Sequence, residues 1–224
     1  MYIPPAFRMD DLGLAHRLMR EARSATLVTA TTDGLIGTPL PMLVDNTEGE
    51  LGTLYAHVAR ANPQWKDLAA GASGHEALMI FQGPEGYITP NWYATKPETQ
   101  KVVPTWNYAT VHAYGRPVVM EEGAWKRRHV SELTDQQEAS EALRTRVRAW
   151  ALSDAPEDYI QVMLRGIVGF RFEISRLEGK WKMSQNRELR DRQGVGKGLR
   201  ERAEGEDLAV ADLVASSAEK AAEG

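Results

Sequence analysis

The sequence predicts an α+β fold that is mainly β, an antiparallel barrel or sandwich carrying inserted helices. Three observations lead there. Several Val/Thr/Leu/Ile-rich runs at irregular spacing are bounded by turn residues. Amphipathic helical stretches interrupt those runs without a flexible linker or internal repeat. Hydrophobic residues make up 42% and charged residues 26% of 224 positions, enough apolar material for a real core.

The elements follow in order. Asp10–Ala22 places Leu14 and Leu18 on one helical face behind an Asp cap. From Ser24, ATLVTATTDGLIGTPLPMLVD reads as two antiparallel strands joined by a Thr32-Asp33-Gly34 hairpin turn. Further strands are expected at 51–57, 76–82, 87–89, 105–119 and 166–174, with 177–183 following a tight Glu178-Gly179 turn. A helix over 121–136 carries Trp125, His129 and Leu133 at a four-residue spacing. A second is expected at 140–151. A third starts near Pro156 with Tyr159, Val162 and Met163 facing inward. Residues 1–200 thus read as a single domain with a helical insertion at about 121–163. Residues 203–224 carry a net charge of −5 and no aromatic side chain. The end from 201 reads as an acidic, Ala/Glu-rich tail, frayed or marginally helical.

Charge and composition exclude several chemistries. The chain has no cysteine, so disulfides, thiolate nucleophiles and Cys-ligated metals are ruled out. The five histidines show no i, i+4 pair and no HExxH, and no metal site or catalytic residue is assigned. Gly194-Val195-Gly196-Lys197-Gly198-Leu199 fits neither the dinucleotide fingerprint nor the P-loop and reads as a turn. No apolar run is long enough to span a membrane, and MYIPPAFRMDD is unlike a signal peptide. The expectation is a soluble, cytoplasmic protein without a membrane partner.

Three stretches carry candidate chemistry. Between residues 55 and 108, Trp65, Trp92 and Trp106 stand among four tyrosines, and Pro90-Asn91-Trp92-Tyr93 is echoed by Pro104-Thr105-Trp106-Asn107-Tyr108. These rings either wall a flat ligand or plug a barrel end or dimer seam. His57, Arg60, Asn62 and Trp65 lie where a strand passes into a helical turn, either an anion pocket or an ordinary capped helix with a solvated arginine. Lys182, Ser184, Gln185, Asn186 and Arg187 either form an exposed edge or meet a phosphate and a heterocycle.

Taken together, MYIPPAF, YAHVARANPQW, YITPNWY, VVPTWNYATVHAYG, GIVGFRFEISRLEGKWKMSQNR and DRQGVGKGL resemble, in order, the PaiB family of FMN-binding negative transcriptional regulators. The resemblance runs from Met1 to about Leu199. It implies a six-stranded antiparallel split β-barrel of the pyridoxamine-phosphate-oxidase-like, FMN-binding kind with peripheral helices, paired as a homodimer. It further implies that His57, Arg60, Asn62 and Trp65 border the FMN phosphate and ribityl chain. Thr89, Asn91, Trp92, Pro104, Thr105, Trp106 and Asn107 would wall the ring, while Lys182, Ser184, Gln185, Asn186 and Arg187 close the site. Trp125, Trp150 and His129 stay with helix packing, and His16 and His75 are left as surface or satisfied core residues. A repressor implies DNA as a partner, but residues 1–202 are close to neutral, short of the usual basic footprint. Lys126-Arg127-Arg128 and Arg144-Thr145-Arg146-Val147-Arg148 are the local basic clusters. The other function class is a flavin-dependent oxidoreductase or flavin reductase using the same FMN.

Overall fold

In the computed structural model, residues 1–31, 34–70 and 76–222 are described, with the side chains of 69–70 and 218–222 left aside. The Thr32-Asp33 half of the expected turn and His75 lie outside the described residues. Seven strands form, β1 (Arg8–Met9), β2 (Ser24–Thr31), β3 (Gly34–Asp45), β4 (Thr53–Ala59), β5 (Ala77–Ile88), β6 (Thr105–Met120) and β7 (Ile167–Lys182). They hydrogen-bond in the order β1-β7-β4-β3-β2-β5-β6, and β6 also pairs with β7, so β2 to β7 close into a ring. The pairings β1–β7, β2–β3, β2–β5, β3–β4 and β4–β7 are antiparallel. This is the six-strand ring expected of a split barrel, and closure leaves few free strand edges. Around it stand helices α1 (Leu12–Glu21), α2 (Gln64–Ala70), α3 (Lys96–Thr99), α4 (Gly123–Thr145), α5 (Glu157–Arg165), α6 (Leu189–Arg202) and α7 (Asp207–Ala222).

By packing, the chain divides into a central unit, Met19–Phe81 with Ala113–Leu177, and a terminal unit, Met1–Leu18, Gln82–His112 and Glu178–Gly224. In the central unit, the β4–β7 register sets Leu54 opposite Phe172, Ala56 opposite Phe170 and Val58 opposite Val168. All six are buried. The period-two burial is what an inward strand face requires.

Helix α4 is continuous where two helices were expected. The intervening Gln136-Gln137-Glu138-Ala139 are all favourable or tolerable in a helix, and nothing interrupts the ladder until Arg146 turns left-handed at φ 61°. Trp150 consequently falls outside any helix and is 42% exposed, contrary to its expected packing role. Helix α5 buries Ile160 and Leu164 against Leu152, Val130 and Ile167. Tyr159, Val162 and Met163, expected inward, are instead about half exposed. The helix is apolar on more than one face, and the Ile160/Leu164 pair at i, i+4 takes the core.

In the terminal unit, Asp11 caps α1 by accepting from the Leu14 amide. An expected gap between strands and an expected turn are both absent. Gly83-Pro84-Glu85-Gly86 runs inside β5, and Glu178-Gly179 inside β7. The glycines there meet close neighbours, since a Cβ on Gly83 would lie 2.5 Å from Leu18 and one on Gly179 2.3 Å from Met9. Met9 sits opposite Gly179 in the β1–β7 pairing. The Gly194–Leu199 stretch is likewise mid-helix in α6. Here Gly194 and Gly198 let α6 approach Trp92, because a Cβ at 194 would stand 2.0 Å from the Trp92 carbonyl oxygen and one at 198 2.3 Å from its indole. Of the acidic end, expected to be frayed or marginally helical, Asp207–Ala222 is helical. Val210, Ala211 and Val214 of α7 are buried. Arg202 forks onto Asp207 and donates to the Tyr87 carbonyl at 3.1 Å, tying the α6–α7 corner to β5.

Gly198→Ala therefore destabilises the protein by about 1–3 kcal/mol in urea unfolding, in spite of the helix propensity that alanine adds. Gly196→Ala, on the same helix but meeting only the end of Arg200 at 3.3 Å, is neutral or stabilising. Equal effects would remove the Trp92 contact as the reason for these glycines.

Candidate functional site

The predicted site residues fall in both units. In the central unit, β4 delivers His57 and the chain then turns into α2. Asn62 caps that helix, its Oδ1 accepting from the Gln64 amide at 3.0 Å while its Nδ2 donates to Thr38 Oγ1 at 3.2 Å. Gln64 is fully buried and spans Thr38, Thr29 and the Ile36 carbonyl. Arg60 forks onto Glu121 at 3.0 and 2.5 Å and also donates to the carbonyls of Arg165 and Ile167. Glu121 is held below the usual carboxylate range by that contact. Trp65 donates its indole N–H to the Arg60 carbonyl at 3.0 Å and stands under the guanidinium. Arg60, Asn62 and Trp65 are thus fastened to one another's surroundings, as an ordinary capped helix with its flanking arginine would be.

His57 has a partner that the sequence does not reveal. Its Nδ1 lies 3.0 Å from Nε2 of His129 on α4. His129 stacks on Trp125 at 5.1 Å, and Trp125 meets Tyr55 edge-on. Gly169 makes room, since a Cβ there would lie 2.2 Å from the Trp125 ring. His129 Nδ1 is buried without a hydrogen-bond partner. Burial, with His57 beside it, pushes the His129 pKa down to about 4, and burial also lowers that of His57. Near neutral pH the two imidazoles are uncharged, and one N–H serves the bond between them.

In the terminal unit, the start of β6 and the end of β7 bring Thr105, Trp106 and Lys182 together. The Lys182 ammonium donates to Thr105 Oγ1 and to the Trp106 carbonyl at 2.7 Å. Asn107, fully buried, exchanges hydrogen bonds with Ser184 at 3.1 and 3.2 Å. Gln185 clips the turn after β7, accepting from the Met183 amide and donating to the Trp181 carbonyl. Asn186 is exposed, and Arg187 lies 4.7 Å over the Tyr93 ring. Thr89 caps the short turn of Pro90–Trp92 through the Asn91 amide, and Asn91 Oδ1 accepts from Lys96. Trp92 itself is covered by α6 and by Arg202 at 5.0 Å. Pro104 is exposed ahead of β6, and Trp106, 51% exposed, meets Tyr87 at 6.0 Å.

The charge of this end of the terminal unit is unbalanced. Lys180, buried, donates to the Tyr2 carbonyl and faces Tyr108 at 5.2 Å. Burial first, and then the Lys180 charge, lowers the Lys182 pKa. Among the described residues no carboxylate forms an ion pair with Lys180, Lys182 or Arg187. Lys182, without a counter-charge and bonded to the carbonyl of exposed Trp106, which meets Tyr87, suits a ligand with an anionic end and a flat ring, which are the chemical attributes of FMN.

Comparison with known proteins agrees with this. Residues 1–176 match the family model described as "Putative FMN-binding domain". The chain is 34% identical to an uncharacterized protein of Aspergillus fumigatus, over 89% of this chain and 90% of that one. It is 32% identical to the protease synthase and sporulation protein PAI 2 of Bacillus subtilis, over 87% of each. The FAD and heme binding protein of Mycobacterium smegmatis shares the fold at TM-score 0.53 and 14% identity, covering 78% of this chain and 73% of that one. The chain belongs to the PaiB-like FMN-binding family, and FMN is the cofactor that goes with it. No helix among the described residues is long and apolar enough to cross a membrane.

The buried histidines carry a measurable pH signature. Unfolding lets His129 take up a proton between its ordinary 6.5 and about 4 that the folded chain refuses, so stability falls as pH drops through that window. In His129→Asn, the pH slope of the urea-unfolding free energy over that window decreases by up to about 1.4 kcal/mol per pH unit. An unchanged slope would show that His129 already titrates normally in the fold.

Proposed function

We propose that this protein is a homodimeric, FMN-binding regulator of transcription. The observation that carries the flavin part is uncompensated Lys182 held on the carbonyl of exposed Trp106, which meets Tyr87. In this reading Lys182, preset by Thr105 and the Trp106 carbonyl, takes the phosphate as a charge-assisted donor, and Arg187 adds a second cation. Burial of Asn107 and Ser184 against each other keeps the strand ends that carry those groups in register. Bound FMN supplies electron-transfer chemistry; the chain supplies binding and orientation. Arg60 reaches a phosphate only by surrendering Glu121, so in this reading it is the weaker ligand. His57, the other end of the imidazole pair, holds one proton at Nδ1 or faces one on His129.

The regulatory part is supported by the relationship to PAI 2, whose name links it to protease synthesis and sporulation. Direct DNA contact through the two basic clusters is weakened, though Arg128 and Arg146 are exposed, by ion pairs on the other four cations. Lys126 faces Glu121, Arg127 holds Glu157, Arg144 holds Glu141 and Arg148 holds Asp154. Phosphate-dominated binding needs free cations, and we infer that regulation is exerted through another protein or through other residues. A flavin oxidoreductase is the competing reading, favoured by the uncharged imidazole pair as a proton holder.

The test is the visible spectrum of purified protein after FMN addition and desalting, with the mass of the eluting species. Flavin retained at about one per chain on a dimer is expected, and Lys182→Ala weakens FMN affinity by about 1–3 kcal/mol, roughly 5- to 150-fold. Loss of flavin from the unaltered protein, or an unchanged affinity in Lys182→Ala, overturns the assignment. Rapid bleaching of the bound flavin by a reduced nicotinamide would replace the regulator with the oxidoreductase.

A further inference from the structure

Helices α6 and α7 enclose a cavity of about 740 Å³ that the flavin reading does not use. Exposed Leu189 gives it apolar surface, with Ala211 and Val214 buried behind it, and three cations line it, Arg192, Lys197 and Arg200. Two of these are matched. Arg200 holds Asp212 at 2.9 Å, and Lys197 faces Glu201 at 3.7 Å. Arg192 is different. It is 6% exposed, its Nε has no hydrogen-bond partner, and its hydrogen bond to a described residue is a long one, to Ser217 Oγ at 3.3 Å. No carboxylate among the described residues pairs with it.

An arginine cannot relieve such burial by losing its proton, and an unpaired buried charge is costly. Among the described residues nothing supplies that compensation, and a molecule entering the cavity can. One unmatched positive charge calls for one negative charge. The planar fork of a guanidinium matches a carboxylate in bidentate geometry. The volume lies in the range of cavities that take small organic ligands, and the apolar wall calls for more than a bare anion. We propose that the α6–α7 cavity binds a small organic monocarboxylate, its apolar body against Leu189 and its carboxylate on Arg192. The site lies beyond residues 1–176, the part matched by the FMN-binding family, and it does not rest on the flavin reading.

The experiment is calorimetric titration of the full chain with octanoate and, as its uncharged counterpart, 1-octanol. Octanoate binds at least roughly tenfold more tightly than 1-octanol, the size of one charge-assisted contact. Arg192→Met abolishes that preference while leaving 1-octanol affinity in place, and Ala215→Trp, on the exposed rim of the cavity, reduces binding of both. Retention of FMN is the same with and without octanoate. Equal affinity for the two probes, or no binding of octanoate, overturns the proposal. So does displacement of FMN by octanoate, which would give the cavity to the flavin. If Arg192→Met does not fold, the comparison of the two probes and Ala215→Trp decide the matter, since neither depends on that variant.

Discussion

Strand β7 pairs with β1, β4 and β6, and the ring depends on the last two of those pairings. Its first part lays Val168, Phe170 and Phe172 against the inward face of β4, and its last part carries Lys180 and Lys182 to the start of β6. A slip of one residue would turn the phenylalanines outward and Arg171 and Glu173 inward. The same slip would take Lys182 off Thr105 and the Trp106 carbonyl. One register thus decides both whether the barrel has a core and whether its cations are aimed.

The departures from expectation share a cause. Gly83-Pro84-Glu85-Gly86 and Glu178-Gly179 have the composition of turns, yet each is strand interior, because glycine also serves where a neighbour leaves no space for a Cβ. Leu18 and Met9, which make that demand, are far away in sequence. Gly194 and Gly198 were unreadable for the same reason, since Trp92 lies about a hundred residues before them. What was legible is what is local or periodic, such as the Trp125, His129, Leu133 stripe, the Asn62-Pro63 cap and the alternating strands. The His57–His129 contact, with 72 residues between its members, had as its local sign only the burial that this stripe implied for His129. The association of Trp106 and Lys182 was available through the family resemblance rather than through spacing.

Several cations of this protein are held in ion pairs, and the four that bear on the proposed sites are not. Arg60, Arg127, Arg190 and Arg202 each have a carboxylate. Exposed pairs of this sort contribute little to stability. Lys180, Lys182, Arg187 and Arg192 have none among the described residues, and all four belong to the terminal unit. Imbalance that folding does not resolve is a common sign of a site whose remaining partner arrives in solution.

The tryptophans differ sharply in their surroundings. Trp106 is half in water with only Tyr87 at its edge, whereas Trp92 is covered by α6 and Arg202, and Trp125 is stacked on His129. Their emission is accordingly heterogeneous, with bluer, shielded components from the last two and a red, iodide-accessible component from Trp106 that Trp150→Phe separates from that of the other exposed indole. The molecule carries an optical probe of its own at the strand ends where Lys182 is held, readable without any label.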